Sequence, residues 1–159
     1  MRVHLGLGSN LGDRDAFLAG ALAALRALDP GLAVSPVYET APVGGPQDQG
    51  PYLNCVVRAD VDLDPAGVLA LAHALEAAAG RTREVRFGPR TLDVDVLLVE
   101  GVEQDDPELV LPHPRMWERA FVLAPLEDLD PALVPGGWRD ALGGAEAVAR
   151  SVRRVGASR

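Results

Sequence analysis

The chain has 159 residues, 48% of them hydrophobic and 24% charged, enough for one domain that buries roughly two-thirds of the surface its unfolded form exposes. A net charge of −8 argues against broad binding to nucleic acid, which needs a basic face. All fifteen basic residues are arginine, so a phosphate loop ending in Gly-Lys-Ser/Thr is excluded, and the single cysteine, Cys55, excludes an intrachain disulfide.

Arg2 to Leu7 alternates Val3, Leu5 and Leu7 with Arg2, His4 and Gly6, the period of a strand. After the loop Gly8-Ser9-Asn10-Leu11-Gly12, Asp13 reads as the N-cap of a helix to about Leu28, with Phe17, Leu18, Ala21, Leu22, Leu25 and Leu28 at helical spacing. Pro30-Gly31 stops it, and Leu32 to Tyr38 reads as a second strand, which Pro36 favours placing at an edge. Thr40 to Pro51 is a Pro/Gly/Gln-rich loop, of the length and kind that usually carries function. Tyr52 to Val61 reads as a third strand, and Asp64-Pro65 opens a helix that runs to Gly80. Arginine-rich residues 81–90 lead into a fourth strand, TLDVDVLLV. Beyond it the pattern is broken, with a short helix from about Arg115 and a last helical segment from roughly Trp138 to Arg153. The order strand-helix-strand-strand-helix-strand is that of a ferredoxin-like α+β sandwich, a mostly antiparallel sheet with two helices packed on one face. Residues 1–159 are expected to form a single domain.

Asp93 and Asp95 stand two apart on the fourth strand, so their carboxylates share one face about 7 Å apart, with Leu92, Val94 and Val96 on the other. Like charges on a strand face repel, and either solvent or a hard divalent cation can offset that. Arg81, Arg83, Arg86 and Arg90 fall within ten residues just upstream. They make either a solvated basic loop or a set of forks for phosphate oxygens. Acidic metal ligands beside arginines are the two halves of a polyphosphate site. The glycines of Gly6-x-Gly8-x-x-x-Gly12 miss the dinucleotide spacing, because Leu11 stands where the third glycine belongs; a close strand-to-helix turn explains them. His113 is held between Pro112 and Pro114, either structurally or as a ligand contact, and Arg115 and Arg119 would share a face on a helix. Tyr52, Asn54 and Phe121 suit a flat heterocycle with an amide edge, or simple core packing. Cys55 reads as a buried strand residue rather than a nucleophile.

With these blocks in hand the chain resembles the 6-hydroxymethyl-7,8-dihydropterin pyrophosphokinases. The resemblance runs through Gly8-Ser9-Asn10-Leu11-Gly12, Pro46-Gln47-Asp48-Gln49, Tyr52-Leu53-Asn54 and Arg86-Phe87-Gly88-Pro89-Arg90-Thr91-Leu92-Asp93-Val94-Asp95. It closes in Leu111-Pro112-His113-Pro114-Arg115 and Arg119-Ala120-Phe121, and little is recognisable beyond Pro131. It implies a ferredoxin-like fold and transfer of pyrophosphate from ATP to the hydroxymethyl pterin in folate biosynthesis, with Mg²⁺-ATP binding first and AMP released. Asp93 and Asp95 would then hold two Mg²⁺ ions, and Arg81 and Arg90 would stabilise charge on the transferring group. Glu76, Arg83, Arg90, His113 and Arg119 would contact ATP. The pterin would stack between Tyr52 and Phe121, its amide edge read by Asn54 and by the backbone near Thr40, Pro42 and Val43. Phe87 stands where many relatives have tryptophan. The expected partners are ATP and the pterin, with neither nucleic acid nor membrane, for a monomer in the cytoplasm. The N-terminal apolar run, broken by glycine, does not read as a signal peptide.

Overall fold

The computed structural model describes residues 1–41, 50–80 and 91–156. In chain order they form β1 (Arg2–Ser9), α1 (Arg14–Leu28), β2 (Ala33–Val34), β3 (Val37–Thr40), β4 (Tyr52–Asp60), α2 (Pro65–Ala78) and β5 (Asp93–Val99). A hairpin of β6 (Gln104–Asp106) and β7 (Leu109–Leu111) follows, then a 3-10 turn at Met116–Glu118 and α3 (Ala120–Leu129). The chain continues through a second such turn at Pro131–Leu133 to α4 (Trp138–Ala141), α5 (Ala145–Ser151) and β8 (Val152–Gly156).

The main sheet runs β5-β1-β4-β3-β8, with β2 also paired to β4, and each pairing is antiparallel. With α1 following β1 and α2 following β4, this is the ferredoxin-like arrangement read from the element order. Both helices start where capping chemistry puts them. Asp13 accepts from the Ala16 N–H at 3.1 Å, and Asp64 from the Gly67 N–H at 2.8 Å with proline at the first turn of α2.

Strand alternation assigns the two faces of the sheet. Val3, Leu5 and Leu7 of β1, Leu53, Cys55 and Val57 of β4, and Val94 and Val96 of β5 bury one face against Leu18, Leu22 and Leu25 of α1 and Val68, Ala72 and Leu75 of α2. On the other face Val56 and Leu97 pack with Met116, Val122 and Leu126. The two-helix expectation is therefore incomplete, because α3 covers part of the opposite face. A bulge helps it do so. The β1–β5 register passes from Leu5↔Val96 to His4↔Leu98, leaving Leu97 as the extra residue, and Leu97 and Leu98 both pack toward the α3 side.

Two expectations need correction. The stretch 32–38 is not one edge strand. Pro36 has no N–H to donate, and the pairing breaks there into β2 and β3. Ser35 bridges the gap: its N–H donates to the Val56 carbonyl at 2.9 Å, and its Oγ accepts from the Val56 N–H at 2.9 Å. Nor is β3 an edge, since β8 pairs along it through Tyr38↔Arg154, Glu39↔Arg153 and Thr40↔Val152. The predicted helix 138–153 is likewise divided. Gly143 and Gly144, at φ of 102° and 100°, adopt a backbone that L side chains rarely take, and α4 ends before them. The residues from Val152 onward extend into β8. The Tyr38 hydroxyl donates to Asp128, whose other oxygen accepts from Arg154 at 2.7 Å, so one carboxylate at the end of α3 ties β3 to β8. No helix among the described residues is long and apolar enough to cross a membrane.

Candidate active site

On β1, the cross-strand partners of Asp93 and Asp95 are Gly8 and Gly6. Neither glycine carries a side chain, so the strip of sheet between β5 and β4 stays open where two side chains would otherwise stand. That strip floors a cavity of about 520 Å³ that α3 leaves uncovered. Gly6 and Gly8 therefore belong to the floor of the cavity, inside a strand, and not to the strand-to-helix turn expected of them; Gly12, at φ of 72°, belongs to that turn. The floor is closely fitted at one point. A Cβ on Gly8 would lie 2.7 Å from Asn54 Oδ1 and 3.3 Å from Tyr52 Cδ1.

Asp93 and Asp95 are half-buried and line the cavity, while Leu92, Val94 and Val96 are buried on the opposite face. The single-face reading of the pair is what the strand shows. Among the described residues no group of three or more His, Cys, Asp or Glu could hold a metal ion alone. Two carboxylates still suit Mg²⁺, which binds through one or two of them together with substrate phosphates and retained waters.

Arg119 is the residue just before α3, and its guanidinium lies 3.6 Å from the Asp95 carboxylate and 5.5 Å from the Phe121 ring centroid. Arg115 lines the same cavity. The two arginines do not share an α-helix face, because a 3-10 turn separates them, yet the turn delivers both to one place. His113 follows a cis Leu111–Pro112 bond; its N–H donates to the Leu97 carbonyl at 2.8 Å and its Nδ1 accepts from the Arg115 N–H at 3.2 Å. Burial first, then the charges of Arg119 and Arg115, hold the imidazole below its ordinary value, while Asp93 pulls it the other way. A neutral ring with Nδ1 accepting carries its proton on Nε2.

Glu76 is buried in α2, and its Oε2 accepts from the Val94 N–H at 3.0 Å. It thus braces the peptide between the two aspartates from the helix side rather than lining the described cavity. Tyr52, Asn54, Thr40 and Phe121 all line the cavity. Asn54 Nδ2 donates to Thr40 Oγ1 at 2.7 Å across β4 and β3. Phe121 is half-buried and also packs on two apolar clusters, so it serves core and cavity together. Burial pushes the Cys55 thiol up to about 12, which keeps it protonated beneath the floor.

Arg81, Arg83, Arg86, Phe87, Arg90, Pro42 and Val43 lie outside the described residues. What the sequence did not signal is the far wall, made by Leu142, Val148, Ser151 and Val152. Residues 138–153 read as one helical segment, but nothing in the sequence connects that segment with the site. The glycines of the floor did carry a signal, since glycine inside a strand marks close approach of another group.

A family model described as 7,8-dihydro-6-hydroxymethylpterin-pyrophosphokinase matches residues 4–131. The chain is 50% identical over 139 residues, 86% of it and 87% of the other, to a 2-amino-4-hydroxy-6-hydroxymethyldihydropteridine pyrophosphokinase of Methylorubrum extorquens. It is 46% identical over 128 residues, 79% of it and 76% of the other, to the protein of that name in Bacillus subtilis. Its fold matches an HPPK-DHPS structure from Plasmodium falciparum with a TM-score of 0.55 at 14% identity, over 94% of this chain and 43% of the much longer Plasmodium chain. With a family match that spans most of its length and an acid pair, arginines and aromatic residues gathered above one glycine floor, the chain belongs to the 7,8-dihydro-6-hydroxymethylpterin-pyrophosphokinase family.

Proposed function

We propose that this cavity is where the chain carries out the reaction of its family, moving pyrophosphate from ATP to 6-hydroxymethyl-7,8-dihydropterin to give AMP and the pterin diphosphate. The observation that carries the assignment is Arg119, which reaches Asp95 at 3.6 Å and Phe121 at 5.5 Å. One side chain thus joins a charged end, fit for phosphates, to an aromatic end, fit for a heterocycle.

On this reading Asp93 and Asp95 would hold two Mg²⁺ ions, whose chemistry there would be to neutralise charge on the ATP phosphates. Glu76, Arg83, Arg90, His113 and Arg119 hold the nucleotide, with Glu76 acting through β5 and His113 as a neutral Nε2–H donor. Arg81 and Arg90 offset charge on the transferring group. The pterin lies between Tyr52 and Phe121, its amide edge toward Asn54 and the backbone at Thr40, Pro42 and Val43. The pterin hydroxyl oxygen bonds to the β-phosphorus and gives up its proton to solvent, while the bond to the α,β-bridging oxygen breaks and AMP leaves with that oxygen. Such a transfer needs alignment and charge balance and no protein nucleophile, in keeping with a Cys55 thiol held protonated. Residues 1–159 act as one domain and as a monomer in the cytoplasm.

The test is an incubation with Mg²⁺-ATP, with and without 6-hydroxymethyl-7,8-dihydropterin, separating AMP, ADP and phosphates. AMP formed only with the pterin, matched by pterin diphosphate, supports the reading. Phosphate or pyrophosphate released without pterin would instead make water the acceptor at the same acid pair.

A further inference from the structure

Asn54 is buried at the centre of the cavity floor, and its amide is gripped from two sides. On one side Nδ2 donates to the buried Thr40 hydroxyl at 2.7 Å, a bond between neighbouring strands. On the other, Oδ1 sits over Gly8, so close that a Cβ there would approach it to 2.7 Å. The register permits both contacts on one face of the sheet: Asn54 pairs with Gly8 of β1 and with Tyr38 of β3, which leaves Thr40 a diagonal neighbour two residues on. An amide has two donors and one carbonyl oxygen. In the structure one donor is spent on Thr40 and the oxygen sits above a residue with no side chain, so the amide stands with its nitrogen toward β3 and its oxygen toward β1.

We infer that Thr40 and Gly8 form a clamp that sets the orientation of the Asn54 amide, and through it the heterocycle edge the site accepts: one offering an N–H to the Asn54 carbonyl oxygen. Thr40 and Gly8 are in this sense positioning residues, acting on the ligand through Asn54. The inference rests on the proposed pterin subsite and adds to it a reason for the hydroxyl at position 40 and for the missing side chain at position 8. A hydroxyl is required at 40 because a methyl in its place leaves a buried amide N–H unpaired and lets the amide turn over. Glycine is required at 8 although its backbone is ordinary extended strand. The demand there is for space, not for an unusual φ.

The experiment uses the full chain, with steady-state kinetics for pterin and for ATP, and calorimetric binding of Mg²⁺-ATP without pterin. Thr40→Val is expected to raise the pterin KM about tenfold, as loss of one buried hydrogen bond would. Affinity for ATP stays within about twofold in Thr40→Val, since Thr40 is on β3, with β4 and β1 between it and the acid pair of β5. The conservative Thr40→Ser, which keeps the hydroxyl, recovers most of what Thr40→Val loses. Gly8→Ala raises the pterin KM in the same way, and most of its loss disappears in the double variant Gly8→Ala/Asn54→Ala, because the 2.7 Å clash with Oδ1 is gone and only the 3.3 Å approach to Tyr52 remains. Equal losses in Thr40→Val and Thr40→Ser, or a double variant that adds both single losses in full, would overturn the clamp. Asn54→Ala separates the two levels. If it raises the pterin KM while Thr40→Val does not, the clamp fails and the subsite stands; if it leaves the pterin KM unchanged, the subsite fails and the clamp with it.

Discussion

The guanidinium of Arg119 lies 3.6 Å from the Asp95 carboxylate, which brings the start of α3 to the outermost strand of the sheet as its order is described. Sheet order then explains the polarity of the whole cavity. Charged groups gather at the β5 end, the amide and hydroxyl of Asn54 and Thr40 occupy the β4–β3 centre, and Val152 of β8 closes the apolar end. A substrate pair with phosphates at one end and a heterocycle at the other fits that gradient in one direction only. Replacing Arg119 with Met keeps the stem over Phe121 and removes the charge. Loss of one charge-assisted contact predicts a fall in kcat/KM for ATP of about ten- to a hundredfold. Steady-state kinetics with ATP varied would measure it, and an unchanged value would remove Arg119 from the nucleotide site.

Asp95→Ala is expected to reduce turnover by at least about two to three orders of magnitude, the scale of losing a principal charge partner of the reacting group. The fold should be untouched. Asp95 is half-exposed on its face, and removing it relieves repulsion with Asp93 two residues away. Thermal unfolding and turnover measured on one preparation decide the matter. Near-normal activity would refute the metal role, whereas inactivity accompanied by a collapsed melting temperature would make the residue structural.

His113 gives a prediction with a sign. Its folded-state value is lowered, by burial first and then by Arg119 and Arg115, with Asp93 opposing. The folded protein therefore binds this proton less readily than the unfolded chain does. Stability from His113 is in place above the ordinary value of 6.5 and is lost as pH falls from there toward the lower folded value. NMR titration of the ring should give a midpoint below 6.5, and Arg119→Met should raise it by withdrawing a repelling charge. A midpoint above 6.5 would contradict the geometry in which Nδ1 accepts from the Arg115 N–H.

How much of this was legible beforehand depends on the range over which the deciding contacts act. The Asp93–Asp95 face follows from period-two alternation within one strand, and the caps Asp13 and Asp64 act over three residues; local pattern suffices for both. The ferredoxin-like class followed from the succession of elements. The long-range pieces were hidden. Nothing near Val152 announces that it will pair with Thr40, more than a hundred residues earlier in the chain, and a helical stretch interrupted by Gly143-Gly144 looks locally like a poor helix rather than the approach to a strand. Gly8 was visible as a glycine but misread, because its role depends on Asn54 arriving from another strand. The shared delivery of Arg115 and Arg119 was anticipated for the wrong reason. A 3-10 turn, not an α-helical repeat, brings them together.

The C-terminal wall supplies the last prediction. Val148 is buried among Tyr38, Leu123, Ala124, Trp138 and Val152, and it also lines the cavity. Val148→Ala removes two methyl groups from that cluster and should destabilise the fold by about 1–3 kcal/mol. It should also widen the apolar end and weaken pterin binding severalfold, while ATP, which the proposed function puts at the β5 end, should bind as before. Denaturant unfolding gives the first number, and paired KM values for pterin and ATP give the second. A loss shared equally by both substrates would mean that residues 142–152 support the fold without shaping the heterocycle end. A selective loss for the pterin would extend the working site beyond residue 131, where the family match stops.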